Sequence, residues 1–281
     1  MHTTLVDVAT LAAHLDDPSW LIVDCRFDLA KPAAGEAAYD AAHVPGAVYA
    51  HLDRDLSSPI TPKTGRHPLP SPADFAATLS RWGVTPATQV IAYDADNGMY
   101  AARLWWLLRW VGHEAVAVLD GGFKAWTSAN QPTSTQPGQR PATSFVAQPN
   151  RALWVDADEV ARAVADPSWR VLDARAPERY RGEVEPLDTV AGHVPGAANH
   201  PFATDLTADG RFAAKAELRA RFDASQAGVA DERTIAMCGS GVTACHLLLA
   251  METAGKRGAK LYAGSWSEWI RDPARPVATR S

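Results

Sequence analysis

Asp17–Arg26 reads DPSWLIVDCR, and 149 residues later Asp166–Arg175 reads DPSWRVLDAR. Three more blocks recur in the same order along the chain. They are HVPGA at His43–Ala47 and His193–Ala197, VIAYD at Val90–Asp94 against TIAMC at Thr234–Cys238, and GGFKAW at Gly121–Trp126 against GSWSEW at Gly264–Trp269. Four matched blocks in one order indicate that a single domain occurs twice.

The repeat divides the 281 residues into an N-terminal copy over 1–135, a linker over 136–150 and a C-terminal copy over 151–281. The linker region is rich in Pro, Thr, Ser and Gln, which is typical of a semi-extended connection. Within the copies, apolar runs alternate with helix-like stretches, so we expect an α/β fold with a small parallel β-sheet and helices on both faces in each domain. The predicted strands include Leu21–Val23, Val90–Tyr93 and Ala115–Leu119, and the predicted helices include Ala9–Leu15, Ala73–Leu79, Ala101–Val111 and Thr243–Thr253.

The overall composition is that of a globular protein. Hydrophobic residues make up 47%, charged residues 21%, and the formal net charge is −5, which excludes a disordered chain. The chain has no Lys/Arg cluster for nucleic acid and no apolar run near the ~20 residues that span a bilayer. The N-terminus lacks a secretory signal, and three cysteines cannot form a disulfide scaffold, so we expect a cytoplasmic protein.

Cys238 lies where an α/β fold places its ligands. It follows a predicted buried strand and precedes a glycine-rich turn, Gly239–Val242, which leads into the helix that begins at Thr243. The glycines allow backbone N–H groups to converge on an anion, and the positive end of the helix adds to their effect. Both features lower the pKa of a cysteine thiol. A lone cysteine is otherwise a small buried apolar residue, but this context indicates a nucleophile.

Two kinds of phosphate chemistry are excluded by the loop sequence. A cysteine phosphatase or arsenate reductase needs an arginine to clamp the oxyanion, and Ala244 occupies that position. A nucleotide P-loop needs Lys followed by Ser or Thr after the glycines, and no such pair is present. A non-catalytic binding module stays open as an alternative, and only the intact Cys238 loop argues against it.

These motifs resemble those of the two-domain rhodanese family, which contains thiosulfate and 3-mercaptopyruvate sulfurtransferases. The resemblance rests on the tandem copies, the two HVPGA motifs, the Cys238–Thr243 loop and the closing Tyr262–Trp269 stretch, and it extends from about Val6 to Pro276. It implies two tandem rhodanese-like domains, the C-terminal one active and the N-terminal one silent. The residues agree with this, because the first copy carries Asp94 where the second carries Cys238, and a carboxylate cannot accept sulfur.

The resemblance implies ping-pong sulfur transfer that needs no cofactor and no metal. The Cys238 thiolate takes a sulfur atom from a small-molecule donor as a persulfide, and a thiol or cyanide acceptor then removes it. A thioredoxin-like reductant is one candidate acceptor. In this family, thiosulfate enzymes carry basic residues directly after the cysteine, whereas mercaptopyruvate enzymes carry Gly-Ser-Gly or Gly-Thr-Gly. Gly239–Gly241 therefore favours 3-mercaptopyruvate, with thiosulfate as the alternative donor.

The family resemblance implies that an arginine and the Cys238–Thr243 loop bind the donor. Arg179 aligns with a substrate-binding arginine of the family. A second family arginine is expected within Glu185–Asp188, where this chain has Leu187, and Arg181 is a candidate substitute. The predicted donor-binding residues are Arg179, Arg181, Gly239, Gly241, Val242 and Thr243.

Ser240, His67 and Asp55 match a proton relay proposed for the family. A donor that leaves as pyruvate enolate must be protonated, and these side chains can route the proton. The predicted catalytic residues are therefore Cys238, Ser240, His67 and Asp55. Because His67 and Asp55 lie in the N-terminal copy, this relay requires a site at the domain interface.

Several other conspicuous residues are predicted to be structural. His43 and His193 precede Pro-Gly turns and are expected to shape them. The pairs Asp24/Arg26 and Asp173/Arg175 are expected to form ion pairs at strand ends, and Cys25 and Cys245 to pack in the interior.

Overall fold

The computed structural model of the chain describes residues 1–280. These residues form two compact units, each assembled from segments that are separated in sequence. The first unit consists of Met1–Ser58, Leu69–Asn150 and Ala208–Phe212, and the second of Pro59–Pro68, Arg151–Thr207 and the chain from Ala213 onward. The linker predicted over 136–150 thus belongs to the first unit, and the early segment Pro59–Pro68 belongs to the second.

The first unit is built on a five-stranded sheet. Its strands are β1 (Leu5–Val6), β2 (Trp20–Asp24), β3 (Val48–Tyr49), β4 (Gln89–Tyr93) and β5 (Val116–Leu119). Its helices are α1 (Val8–Ala12), α2 (Ala34–Ala41), α3 (Leu52–Asp55), α4 (Pro72–Arg81), α5 (Ala101–Trp110) and α6 (Gly122–Ser128). The strand order is β1-β5-β4-β2-β3, and every neighbouring pair is parallel. The strands predicted in this copy are confirmed as β2, β4 and β5, with ends that shift slightly.

The second unit repeats this topology. Its strands are β6 (Trp154–Val155), β7 (Arg170–Asp173), β8 (Ala198–Asn199), β9 (Thr234–Met237) and β10 (Lys260–Tyr262). Its α-helices are α7 (Ala157–Val164), α8 (Pro177–Tyr180), α9 (Lys215–Gln226), α10 (Thr243–Thr253) and α11 (Ser265–Trp269). The order β6-β10-β9-β7-β8 is again entirely parallel. The strand order matches that of the first unit position by position, which confirms the repeat and the α/β prediction.

The burial of β9 shows why this sheet is covered on both faces. Ile235 and Met237 pack with Trp266 in one core cluster. Because side chains alternate along a strand, Ala236 points to the opposite face, and it is also fully buried. A parallel strand with this continuous burial needs helices on each side.

The predicted helices are found, and their ends follow local signals. Helix α4 begins after Ser71, whose side chain accepts the N–H of Asp74, and Pro72 stands at the first helical position. Helix α10 has the predicted bounds Thr243–Thr253. Helix α1 is shorter than the predicted Ala9–Leu15 stretch and ends at Ala12. Within the described residues, no helix combines the length and apolar character that crossing a bilayer requires.

The histidines of the HVPGA turns and the ion pairs at the strand ends are structural, as predicted. His43 Nδ1 lies 2.7 Å from the carbonyl oxygen of Tyr39, and His193 Nδ1 lies 2.7 Å from that of Tyr180. Each histidine is buried and stacks on the ring of the same tyrosine. Both expected ion pairs are present and buried as well, at 2.6 Å in the first unit and 2.7 Å in the second.

The segment over 136–150 contains no helix or strand, yet it is held along the first unit. Backbone hydrogen bonds run from Gly138 to Ala47 at 2.9 Å, from Thr143 to Ser80 at 2.9 Å and from Asn150 to Trp110 at 2.8 Å. The semi-extended conformation expected from its composition is therefore fixed by the first unit rather than left free.

Candidate active site

Cys238 comes directly after β9 and lies in the tight loop that leads into α10. Its side chain is nearly buried, with 1% exposed. The backbone N–H of Gly241 donates to Cys238 Sγ over 3.1 Å. Gly241 has a φ of +80°, and a Cβ there would lie 2.2 Å from the carbonyl oxygen of Ala263, so this turn requires glycine. Helix α10 has no side-chain N-cap, and the N–H of Cys245 in its first turn donates to the Val242 carbonyl at 3.0 Å.

The closing motif holds the loop from a second direction, through the start of α11. Ser265 Oγ accepts the backbone N–H of Cys238 at 3.0 Å. Trp266 N–H then donates to the Cys238 carbonyl at 3.0 Å, and Ser267 N–H to that of Gly239 at 2.9 Å. Ser265 adopts a φ of +53°, a left-handed conformation that is rare for residues other than glycine. These bonds fix the backbone on both sides of the thiol.

Ser240 and His67 meet in the second unit, although 173 positions separate them. Ser240 Oγ lies 2.7 Å from His67 Nδ1, and both side chains are buried. His67 is placed by the Pro59–Pro68 segment, in which Arg66 N–H donates to Ser267 Oγ at 3.0 Å. Arg271 Nε also reaches the Thr64 carbonyl at 3.3 Å. The serine and histidine of the predicted relay are therefore neighbours within one compact unit.

Arg179 lies beside the cysteine loop and is fixed by two carboxylates. Its Nη2 donates to Glu185 at 2.6 Å and to Asp188 at 3.4 Å, and its Nε donates to Glu185 at 3.3 Å. Glu185 in turn accepts the backbone N–H groups of Leu187 and Asp188, each at 3.1 Å. Arg179 Nη1 and Nη2 both approach the loop, since a Cβ on Gly239 would lie 3.5 Å and 3.6 Å from them.

A second guanidinium group, that of Arg66, approaches the same glycine. A Cβ on Gly239 would lie 3.0 Å from Arg66 Nη2. Arg66 Nη1 forms an ion pair with Asp188, whose other oxygen accepts from Arg179. Arg66, Glu185 and Asp188 were not among the sequence-predicted site residues. The available signal was that Arg66 directly precedes His67, but a pairing over 122 positions leaves no periodic pattern in a sequence.

Arg175 contributes a buried positive charge close to the thiol. Burial acts against its charged form, but Asp173, Glu185 and Cys238 outweigh that effect and raise the pKa of the guanidinium above its ordinary value. Its Nη1 lies 3.5 Å from Glu185, and its guanidinium stands 4.9 Å from the centre of the Trp266 ring. Arg175 therefore stays a permanent cation just beyond the carboxyl end of β7, the strand next to β9.

The remaining predicted site residues have other surroundings. Arg181 pairs with Glu183 at 2.8 Å on the exposed surface. Asp55, in the first unit, accepts the backbone N–H of His51 at 2.9 Å and forms an ion pair with Arg81 at 3.1 Å. Val242 and Thr243 lie at the start of α10 as expected.

A separate cavity in the second unit is remote from this chemistry. Trp154, Ile235 and Lys260 contribute to its lining. These residues belong to the amino-terminal halves of β6, β9 and β10, whereas Cys238 follows the carboxyl end of β9. Over residues 1–280, no three His, Cys, Asp or Glu side chains are grouped in a way that would hold a metal ion.

Both copies match the family model described as a rhodanese-like domain, over residues 7–129 and 156–272. A Pseudomonas aeruginosa protein named a probable 3-mercaptopyruvate sulfurtransferase is 48% identical, with 98% of each chain covered. The thiosulfate sulfurtransferase of Rattus norvegicus is 35% identical and matches 90% of this chain and 86% of its own. Among solved structures, the 3-mercaptopyruvate sulfotransferase SseA of Escherichia coli is 35% identical with a TM-score of 0.82, over 95% of this chain and 100% of that one.

Proposed function

The chain is a sulfurtransferase of the rhodanese family, and from this premise we propose that it moves a sulfur atom from 3-mercaptopyruvate to a thiol or cyanide acceptor through a persulfide on Cys238. The observation that carries the donor assignment is the uncharged Gly239–Gly241 loop with the Arg179 guanidinium beside it. A donor that binds through a carboxylate away from its sulfur suits this arrangement, because the cation lies next to the nucleophile's loop and not within it.

The charge balance around the loop supports the same donor. Three arginines (Arg66, Arg175 and Arg179) are matched by three carboxylates (Asp173, Glu185 and Asp188) through ion pairs. A site without net positive charge is poorly suited to a dianion such as thiosulfate, whose desolvation must be offset by cations. The carboxylate of 3-mercaptopyruvate carries a single charge and needs only one guanidinium edge. Arg66 and Arg179 are the partly exposed members, at 22% and 17%, so an incoming anion meets them first.

In the first half-reaction, the Cys238 thiolate attacks the thiol sulfur of the donor. The bond between that sulfur and carbon 3 breaks, and its electron pair leaves on carbon as pyruvate enolate. The sulfur stays on Cys238 as a persulfide, and the enolate takes up one proton to become pyruvate. The Gly241 N–H that now contacts Sγ at 3.1 Å supports the anionic sulfur through this step.

We assign proton delivery to the buried pair Ser240 and His67. Their 2.7 Å contact lets the hydroxyl donate to the enolate while the imidazole resupplies the hydroxyl. Asp55 remains a predicted third member of this relay. The chemistry then belongs to the C-terminal copy over 151–281 together with the His67 segment, and the N-terminal copy over 1–135 is catalytically inactive.

The second half-reaction passes the sulfur to an acceptor. A thiol or cyanide attacks the outer persulfide sulfur, the S–S bond breaks, and its electron pair returns to Cys238 as the thiolate. A low-molecular-weight thiol, cyanide or a thioredoxin-like reductant fits this step. Within the described residues Cys25, Cys238 and Cys245 are buried and form no disulfide, in keeping with a reducing cytoplasmic setting.

Intact-mass and peptide analysis test the persulfide. Wild-type protein incubated with 3-mercaptopyruvate without an acceptor should gain one sulfur, about 32 Da, on the peptide that contains Cys238, as the covalent mechanism requires. Cys238→Ser should gain none and release no pyruvate. The appearance of the added sulfur on Cys25 or Cys245 would overturn the assignment of the nucleophile.

A steady-state comparison of the two donors on one sample tests the substrate. We expect a higher kcat/KM for 3-mercaptopyruvate than for thiosulfate, with cyanide as the common acceptor. Ser240→Ala should lower kcat for 3-mercaptopyruvate by roughly 100-fold or more, since general acid catalysis typically contributes that much. It should affect thiosulfate far less, because the sulfite that leaves needs no proton on carbon. A higher kcat/KM for thiosulfate would assign the protein to the alternative donor.

A further inference from the structure

Two arginine forks converge on the residue that follows the nucleophile. Gly239 has no side chain, and the space where a Cβ would stand is 3.0 Å from Arg66 Nη2 and 3.5 Å from Arg179 Nη1. The peptide next to the Cys238 thiol therefore faces a guanidinium edge from each of two residues that are far apart in sequence.

Asp188 holds these two guanidinium groups side by side. One of its oxygens accepts from Arg66 Nη1, and the other accepts from Arg179 Nη2 at 3.4 Å. The Asp188 side chain is only 5% exposed. The nitrogens that bind carboxylates are thus Nη1 of Arg66 and Nη2 and Nε of Arg179. The nitrogens nearest to the Cβ position of Gly239 are Arg66 Nη2 and Arg179 Nη1, with Arg179 Nη2 at 3.6 Å as well. Each guanidinium group therefore binds a carboxylate and also presents a nitrogen to the loop, Nη2 in Arg66 and Nη1 in Arg179.

The backbone of Arg66 is fixed independently of its side chain. Its N–H donates to Ser267 Oγ at 3.0 Å, and the neighbouring His67 is tied to Ser240 at 2.7 Å. Gly65 allows this close approach, since a Cβ there would lie 2.5 Å from the carbonyl oxygen of Gly264. The Arg66 side chain is accordingly presented to the loop from a rigid support.

We propose that Arg66 is a donor-binding residue that shares the carboxylate of the donor with Arg179. This role rests on the proposed function and fills the gap noted at Leu187, whose side chain is 47% exposed. A 2-oxo acid offers a carboxylate and an adjacent carbonyl oxygen, and two planar forks held side by side match those acceptors in a way that one arginine cannot. Arg66 thereby selects donors that carry a carboxylate over donors that do not.

The alternative is that Arg66 only secures the segment that carries His67. The two roles differ in which half-reaction they affect. A loss of donor binding slows persulfide formation from 3-mercaptopyruvate and leaves the transfer to an uncharged acceptor unchanged. A displaced His67 segment would lower kcat, and this decrease in rate would persist at saturating donor.

Arg66→Gln, with Lys63→Gln as its matched control, separates these roles. Lys63 lies three residues earlier in the same segment, is exposed, and loses the same charge in its variant. For Arg66→Gln we expect kcat/KM for 3-mercaptopyruvate to fall roughly 10- to 150-fold, the range for removing a hydrogen bond to a charged group. The loss should lie in KM, and pyruvate should become a correspondingly weaker competitive inhibitor. Lys63→Gln should stay within twofold of wild type.

The acceptor half-reaction and a conservative variant complete the test. Protein already loaded with sulfur should pass it to 2-mercaptoethanol, a neutral thiol, at the wild-type rate in Arg66→Gln. Arg66→Lys should recover only part of the lost affinity, because an ammonium group keeps the charge without the planar fork. A decrease confined to kcat, an equal effect of Lys63→Gln, or unchanged KM and pyruvate inhibition would each overturn the role of Arg66.

The outcomes for Arg66 and for the proposed donor are distinguishable. If wild-type protein fails to release pyruvate from 3-mercaptopyruvate, the proposed function fails, and the role of Arg66 falls with it. If wild-type protein uses this donor and Arg66→Gln behaves like Lys63→Gln, only the role of Arg66 fails.

Discussion

The loops that follow β4 and β9 occupy the same place in the two copies, yet they surround different acidic side chains. After β9, the Cys238 thiol accepts the N–H of Gly241 at 3.1 Å. After β4, the Asp94 carboxylate accepts backbone N–H groups from Gly98 at 2.9 Å, Tyr100 at 2.8 Å and Ala101 at 3.2 Å. In both copies, the strand-to-helix turn gathers backbone donors around a side chain that can carry negative charge.

The backbone that fixes these loops is the same in both copies. Phe123 N–H donates to the carbonyl of Asp94 at 2.8 Å, as Trp266 N–H does to that of Cys238 at 3.0 Å. The residue before each donor has a left-handed conformation, with φ of +56° at Gly122 and +53° at Ser265. The fold therefore forms a similar set of backbone donors in each copy, and in the first copy the Asp94 carboxylate occupies it.

Transferring the cysteine between the loops gives the largest expected effect. The double variant Asp94→Cys, Cys238→Ser should show no pyruvate release above the uncatalysed rate. The new thiol would lie near the Asp96 carboxylate, which disfavours a second negative charge. It would also lack the arginine pair found at Gly239. Cys238→Ser alone is the control, and sulfur recovered on the peptide that contains residue 94 would refute the argument.

Replacing Asp94 or Cys238 by alanine tests how much each side chain contributes to the stability of the protein. Asp94→Ala leaves the buried N–H groups of Gly98 and Ala101 and the partly buried one of Tyr100 without their acceptor. Each buried group without a partner costs about 1–3 kcal/mol. From the two buried groups we therefore expect a loss of roughly 2–6 kcal/mol in the free energy of unfolding of the first unit. Cys238→Ala removes the acceptor of one N–H group and should cost about 1 kcal/mol. Urea denaturation followed by tryptophan fluorescence measures both, and an equal loss in the two variants would contradict the comparison.

A smaller effect is expected in the pH dependence of stability. Burial raises the pKa of Asp94 in the folded protein above its ordinary 3.8, although three backbone N–H groups act against that shift. The folded state then binds the Asp94 proton more tightly than the unfolded state, so this group lowers stability as pH rises from below 3.8 through the folded pKa. Asp94→Asn lacks this titration.

The difference in unfolding free energy between Asp94→Asn and wild type should accordingly shift in favour of the variant as pH rises, and then level off. Urea unfolding at a series of pH values measures this trend, with Asp40→Asn, which removes an exposed carboxylate, as the control for charge alone. The opposite trend would mean that the backbone donors outweigh burial at Asp94.

The fold and the nucleophile could be predicted because their signals are local or repeated. The DPSW and HVPGA blocks disclosed the tandem copies, and the continuous apolar runs disclosed the buried strands. Cys238 stood out because a short strand, a glycine turn and a helix lie consecutively around it. These patterns depend on backbone geometry, which acts within a few residues.

The charged surroundings of the loop could not be predicted in the same way. Arg66 and Asp188 pair across 122 positions, and no period or spacing links them. The family resemblance predicts a second arginine within Glu185–Asp188, close to Arg179, whereas the structure presents one from the Pro59–Pro68 segment. Ion pairs between distant segments depend on the completed packing of a unit, so only the structure discloses them.

The smallest expected effect concerns Cys25, a thiol of the first copy that we expect to be unreactive. Its equivalent in the second copy is Ala174, and both residues are buried at the end of the corresponding strand. Burial, together with the charges of Asp24, Asp94 and Asp55, raises the pKa of the Cys25 thiol well above its usual value, so it stays protonated and unreactive.

Cys25→Ala should leave kcat/KM within twofold of wild type and cost no more than about 1.5 kcal/mol of stability, the scale for deleting one buried heavy atom. Iodoacetamide at about pH 8 should label the folded wild type and Cys25→Ala equally, because Cys25 contributes no thiolate. Lower labelling or loss of sulfur transfer in Cys25→Ala would show that the first copy contributes a reactive thiol after all.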